Sequence, residues 1–294
     1  MRTAFAATVT DLLDRDPRTA LVLAEISESL FADALSRHPD RAVDIGIMEQ
    51  TMVGVAAGFA MEGLHPFAHS LSPFMAERPY EQLKLDFGYQ GLGGTFVGLG
   101  GSYDYGAEGG THHAPADVRL MLAIPGMEVL VPGHAEEVDG LLRATYANDH
   151  PTYVRLSAAS NESSFAAALG RIEVLRRGSL ATVIAVGPML SRTLAACEGL
   201  DVSVLYATSV RPFDGAGVAA VAGDAPFMIT VEPFYEGTLV SELTAALADV
   251  PSRFLSIGVP SAFIHSYGTA AELDADLGLD AAGIRRKITT ALQS

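Results

Sequence analysis

The sequence predicts an α/β protein built as two parallel-type α/β sandwich domains. Three observations predict it. Short apolar runs of strand length alternate with helical patterns, the alternation stops at a small polar stretch, and then it resumes. The chain has 294 residues and is 49% apolar, enough for two domains with sizeable cores.

The elements follow in order. Residues 5–15 read as a first helix, since MRTAFAATVTDLLDRD acquires acids too early for a secretory signal. Ala20–Leu23 reads as a buried strand, with the polar stretch Glu25–Ser29 at its C-terminal end. Ala42–Gly46 reads as a strand ending on glycine. The helix after it carries Met48, Met52, Val55 and Phe59 on one stripe and Val53, Ala56, Ala57 and Ala60 on the others, so it is expected to be buried nearly all round. Pro66–Leu71 is the next strand, then a helix from about Met75 to Tyr89, then strand Thr95–Leu99. A glycine-rich loop runs from Gly98 to Asp117, GLGGSYDYGAEGGTHHAPAD, long enough to be read as functional. Helix Val118–Ala123, strand Glu128–Val131, helix Ala135–Tyr146 and strand Thr152–Leu156 close the first run.

Ser157–Gly170 is small and polar and reads as a connection. The expected division is a first domain over 1–160, a linker over 161–174 and a second domain over 175–294. The second run has strands at Ala181–Val186, Ser203–Tyr206, Met228–Val231 and Phe254–Ile257, helices at Leu190–Glu198 and Thr238–Ala248, and a last helix near 281–292 capped by Asp280.

Composition excludes several function classes. A net charge of −16 argues against nucleic acid and anionic membrane as partners. No apolar run is long enough to span a bilayer. The single cysteine, Cys197, forms no intrachain disulfide, suits a reducing cytoplasm and reads as a small core residue. The eight histidines show no zinc spacing, and neighbouring His112 and His113 would point apart, so no metal ligand is assigned. The glycine loop lacks the Gly-Lys-Ser/Thr ending of a P-loop. His69, in an apolar strand, reads as a satisfied core histidine.

Glu49 stands in the first turn of the apolar helix, just past a strand end. Pattern alone leaves two readings open, a capping acid on a helix dipole and a ligand-binding carboxylate at the C-terminal edge of an open sheet. His112 beside Glu108 in a glycine frame could move protons and bind hydroxyls, or could be solvated loop residues.

DIGIMEQ, SPFMAERPYEQLKLD, GAEGGTHHAPAD and IPGMEVLVPG, in this order, resemble the pyrimidine-binding half of transketolases and 1-deoxyxylulose-5-phosphate synthases. RPFD, ITVEPFYEGTL and YGTAAELDADLGLDAAGI resemble the family's C-terminal domain. The resemblance covers nearly the whole chain. It implies a thiamine diphosphate pyrimidine-binding domain followed by a transketolase C-terminal domain. The family's Gly-Asp-Gly…Asn motif, which holds magnesium and diphosphate, does not occur in these residues. The chain therefore resembles the C-terminal subunit of a split transketolase. An N-terminal partner would carry the diphosphate-binding domain and most of the Mg2+ site, in a two-plus-two assembly.

By the same resemblance Glu49 matches the glutamate that hydrogen-bonds N1′ of the cofactor's aminopyrimidine. Phe74 matches an aromatic stacked on that ring and Tyr80 a second aromatic of the pocket, although both would also pack a helix face. His112 matches a histidine that contacts donor oxygens, and Glu108 stands where transketolases have a donor-binding aspartate. Arg2 and Ser29 fill two places of the family's phosphate clamp. Gly100 and Ala158 stand at the other two, and strand alternation points nearby Arg155 elsewhere.

The implied activity is transfer of a two-carbon ketol unit from a ketose to an aldehyde or other carbonyl acceptor. With two clamp cations absent, at least one substrate is expected not to be an ordinary aldose phosphate, and a larger carbonyl compound or quinone of specialised metabolism is a candidate. The alternatives are the beta subunit of a 2-oxo acid dehydrogenase and a non-catalytic structural partner.

Overall fold

The computed structural model describes residues 1–223 and 226–293. In its first half, strands β1 (Thr19–Leu23), β2 (Ala42–Asp44), β3 (His65–Leu71), β4 (Gly94–Leu99), β5 (Glu128–Leu130) and β6 (Pro151–Leu156) alternate with helices. These are α1 (Arg2–Arg15), α2 (Glu28–Arg37), α3 (Glu49–Met61), α4 (Ser72–Ala76), α5 (Tyr80–Gln82), α6 (Asp117–Leu122) and α7 (Ala135–Thr145). The second half holds β7 (Ile172–Arg176), β8 (Thr182–Val186), β9 (Ser203–Ala207), β10 (Ser209–Arg211), β11 (Phe227–Tyr235) and β12 (Arg253–Val259). Its helices are α8 (Leu190–Ala196), α9 (Gly215–Ala222), α10 (Val240–Ala246), α11 (Ala270–Leu277) and α12 (Ala281–Leu292).

Two sheets result, as expected. The first runs β10-β5-β6-β4-β3-β1-β2 and the second β12-β11-β8-β9-β7. Strands β1 to β6 pair in parallel, so their carboxyl ends share one edge. β1 and β3 are buried on both faces, which explains their near-continuous apolar sequences. The chain steps from β1 out to β2 and then returns to the other side of β1 as β3. That reversal is a topological switch point, where an open sheet leaves a crevice beyond its strand ends.

Several expectations change. The helix expected from Met75 to Tyr89 is broken, because Pro79 lacks an amide donor and disfavours helical backbone at Arg78. α4 ends at Ala76, α5 begins at Tyr80, and Leu83–Tyr89 winds as a wider π-type turn. α3 is not buried all round: Thr51, Gly54, Gly58 and Met61 form an exposed stripe, with Ile47 and Met48 open just before it. The segment expected as a linker carries no helix or strand up to Gly170, then enters edge strand β7 at Ile172, antiparallel to β9. β10 leaves the second half and pairs antiparallel with β5, stitching the halves together. One apolar cluster joins Met52, Val53 and Phe96 of the first half to Val186, Phe234 and Leu239 of the second.

Other expectations hold. Asp280 caps α12 by accepting the Gly283 amide at 2.8 Å. Cys197 is fully buried, and burial pushes its thiol up to about 11. Among the described residues no helix is long and apolar enough to cross a membrane.

Candidate active site

Six strands end at the carboxyl edge of the first sheet; Ser29, Glu49, Phe74, Tyr80, Glu108 and His112 follow the ends of β1 to β4, while Arg2 lies on α1 ahead of β1. After β2, Gly46 turns the chain at φ +74, a value that favours glycine. Asp44 Oδ1 accepts the Gly46 amide at 2.8 Å and the Glu25 amide at 3.1 Å, tying this turn to the one after β1. Glu49 then opens α3 with its side chain folded inward, 1% exposed. Its Oε1 accepts the Ser70 hydroxyl of β3 at 3.0 Å. Its Oε2 accepts Nη1 of Arg78 at 2.6 Å. A carboxylate merely capping a helix would face water, whereas this one is charge-paired inside the crevice.

Arg78 also lies over Phe74, its guanidinium carbon 4.0 Å from the ring centroid. The edge of His112 meets the same ring at 5.3 Å. Glu49, Arg78, Phe74 and His112 are therefore contiguous, drawn from the loops after β2, β3 and β4. Tyr80 packs instead against the core cluster holding Met52 and Leu83, while Phe74 packs on the opposite cluster. Glu108 is exposed at the tip of the glycine loop, and His112 Nδ1 lies 2.9 Å from the Thr111 hydroxyl. His112 is half-buried and its neighbour His113 is buried. The Nε2 of His113 has no hydrogen-bond partner among the described residues, and burial lowers its basicity.

The loop is closed at its base by a bridge between Ser102 and Ala114. Arg155, fully buried, holds that base: Nε donates to Asp117 Oδ2 at 2.8 Å, and Nη2 to the Ser102 hydroxyl at 2.6 Å and the Pro233 carbonyl at 3.1 Å. It points inward and leaves the mouth of the site, as strand alternation implied.

At the mouth, Arg2 Nε donates to Ser27 at 2.8 Å. The serine paired with Arg2 is thus Ser27, not Ser29, which lies exposed on α2. Ser27 adopts φ +69, which swings its hydroxyl inward to 2.8 Å from His69 Nε2. His69 Nδ1 lies 2.9 Å from the Val97 carbonyl, an acceptor only, so the proton sits on Nδ1 and Ser27 donates to Nε2. Burial holds His69 neutral, its value lowered to about 4. The Tyr105 ring fills the space over Gly100, where a Cβ would clash with it. Asp104 Oδ2 accepts the Ala158 amide at 2.8 Å, and burial pushes its carboxyl up to about 6. Arg78, Ser27 and Tyr105 escaped the reading from sequence, which weighed His113 only as a metal ligand. The spacing of Phe74 and Arg78, four residues apart, was the one local signal for the first.

Among the described residues no group of three or more His, Cys, Asp or Glu side chains gathers to hold a metal ion. The groups gathered there suit a planar heterocycle better than a metal ion, since a buried carboxylate and an aromatic face are joined through Arg78.

Residues 1–162 match the transketolase pyrimidine binding domain and residues 170–284 the transketolase C-terminal domain. An uncharacterized 33.6 kDa protein in the fasciation locus of Rhodococcoides fascians is 38% identical over 295 residues, covering 99% of this chain and 95% of that protein. The 1-deoxy-D-xylulose-5-phosphate synthase of Acidovorax ebreus is 34% identical over 296 residues, covering 97% of this chain but 46% of the synthase. The chain thus spans about half the length of the synthases it matches. Among solved structures, a chain described as a split gene transketolase, an inactive beta4 tetramer, superposes with TM-score 0.84 at 25% identity, covering 99% of this chain and 97% of that one. Transketolase from Campylobacter jejuni shares the fold, with TM-score 0.74 at 16% identity, over 98% of this chain and 46% of its own.

Proposed function

The chain belongs to the transketolase family, and from that premise we propose that it is the C-terminal subunit of a thiamine-diphosphate-dependent transketolase divided over two chains. The observation that carries this reading is the Glu49 carboxylate, withdrawn from solvent at the sheet's switch point and joined through Arg78 to the Phe74 ring. A proton-handling group beside a flat apolar wall is what an aminopyrimidine requires. The end-to-end likeness to a split gene transketolase chain and the half-length match to the synthases support the division. The partner is assigned the diphosphate-binding domain and most of the Mg2+ site, and the assembly is read as two-plus-two. The exposed α3 stripe beside Met48 offers an apolar surface for such an assembly to cover.

Thiamine diphosphate supplies the carbanion chemistry when bound. The chain's own residues do the rest. Glu49, oriented by Ser70, holds a proton at the position of N1′. Phe74 fixes the ring plane. His112 and Glu108 bind the carbonyl and hydroxyl oxygens of a ketose donor, on a loop whose base Arg155 clamps. Tyr80 supports the pocket from the core beneath.

The acceptor end differs from a phosphate site. Tyr105 fills the space over Gly100, Asp104 places a carboxylate at Ala158, and Arg2 is already bonded to Ser27. A phosphate gains roughly 1.5–3 kcal/mol from each charge-assisted contact. None is offered at Gly100 or Ala158, so at least one substrate is read as something other than an aldose phosphate, such as a bulkier carbonyl compound.

The test is reconstitution with the N-terminal partner, thiamine diphosphate and Mg2+, followed by competition between ribose 5-phosphate and unphosphorylated or bulky acceptors. Absence of ketol transfer from any ketose donor refutes the activity. Preference for ribose 5-phosphate at ordinary transketolase efficiency, with no gain from Ala158→Arg, refutes the substrate reading.

A further inference from the structure

We propose that Arg78 is a displaceable cover on the cofactor pocket: it occupies Glu49 and Phe74 in the chain alone and yields both to the aminopyrimidine. The proposal rests on the ketol-transfer reading for the identity of the ligand.

The argument begins with access. Glu49 is 1% exposed and each carboxylate oxygen already has a partner, Ser70 at 3.0 Å and Arg78 at 2.6 Å. A ring nitrogen cannot reach this carboxylate until a partner moves. Ser70 is fixed, since it is fully buried within β3, paired with Gly98 of β4 and next to His69, which pairs with β1. Arg78 is free to move. Its side chain is 41% exposed, and it stands in the turn between α4 and α5, where Pro79 breaks the helix.

The guanidinium also has the chemistry of a stand-in. It is planar, it donates N–H groups to a carboxylate, and it lies on an aromatic face at 4.0 Å. An aminopyrimidine would use the same carboxylate and the same ring. When it enters, Glu49 exchanges the Arg78 contact for one to the ring nitrogen, an acceptor in the neutral aminopyrimidine, made through the proton that Glu49 holds there, so no unpaired charge is left buried. While Arg78 is seated the carboxylate is satisfied, so the chain alone has a closed, stable pocket. Apparent cofactor affinity is then lowered by the fraction of molecules in which Arg78 is out.

The experiment has two readouts. In the chain alone, carbodiimide with glycinamide labels accessible carboxyls, and mass spectrometry follows the Glu49 peptide. Arg78→Ala should raise labelling of Glu49 about tenfold over the unmutated chain, and Arg78→Gln, which keeps an N–H donor and serves if the alanine variant fails to fold, should raise it less. In the complex with the N-terminal partner, calorimetric titration with thiamine diphosphate and Mg2+ should give tighter binding for Arg78→Ala, by about three- to tenfold. Unchanged labelling overturns the cover. Raised labelling with weaker cofactor binding overturns displacement and makes Arg78 a fixed wall of the pocket. Raised labelling with no cofactor binding by any complex, unmutated included, overturns the ketol-transfer reading, and displacement by an aminopyrimidine falls with it.

Discussion

Replacing Arg155 by Met should destabilise the chain by about 3–5 kcal/mol, because it removes one member of a buried ion pair and leaves the other. Both Arg155 and Asp117 have side chains with 0% exposure. Met roughly keeps the volume, so the loss is electrostatic rather than a cavity. Asp117 would retain only the Tyr153 hydroxyl at 3.0 Å and the Val118 amide at 2.8 Å. The hydroxyls of Ser102 and Ser157 would lose their donor as well, and the Pro233 carbonyl would keep only the Ser102 hydroxyl. Burial already pushes the Asp117 carboxyl upward while Arg155 opposes it, so without Arg155 the group takes up a proton more readily. The damage should therefore be larger at pH 8 than at pH 5. Asp117→Asn combined with Arg155→Met removes the stranded charge and should recover about half the loss. Urea unfolding followed by circular dichroism at both pH values measures this. Because Arg155 reaches Pro233 in the other half, a split into separate transitions would mark uncoupled domains. A loss below about 1 kcal/mol, or a double variant as unstable as the single one, would refute the reasoning.

Glu49→Gln should leave the fold intact and lower turnover of the reconstituted complex by ~100-fold or more; exchange of the cofactor's C2 proton at the unmutated rate would remove Glu49 from the mechanism. Stability should fall in acid through His69 and His65, whose values are lowered to about 4 by burial. Both lie below the ordinary 6.5, so their contribution is complete above pH 6.5 and lost as pH falls toward 4, on the order of 3 kcal/mol for His69. Glu232, raised to about 7 by burial, acts oppositely, with its contribution complete below its ordinary 4.5 and lost as pH rises through 7. His69→Asn should flatten the acid limb of urea midpoints collected from pH 4 to 7. Gly100→Ala should cost about 1–3 kcal/mol, from the clash with Tyr105 and the strain of a non-glycine residue at positive φ. Thermal melts should show that adding Tyr105→Ala relieves the clash alone. Without its partner the chain should self-associate and bind thiamine diphosphate weakly, as light scattering and calorimetry would report; a stable, active monomer would sink the divided-enzyme reading.

The sequence by itself determined the two-sheet architecture, the satisfied core role of His69, the Asp280 cap and the placing of Glu49 between a strand end and an apolar helix. Each of these depends on short-range physics: periodicity, capping chemistry, and the alternation that turned Arg155 inward. Only the tertiary structure decided which side chains share the crevice. Ser70 lies 21 residues from Glu49 and Arg78 lies 29 away, and they meet because β3 returns beside β1 after β2 has been laid down. Arg2 finds Ser27 rather than Ser29 because a left-handed residue reverses the chain there, which neighbouring residue types do not disclose. Met48 read as core because it continues the stripe of Met52, Val55 and Phe59, yet it is exposed. Its exposure depends on what packs across it, and no pattern within a helix specifies its neighbour.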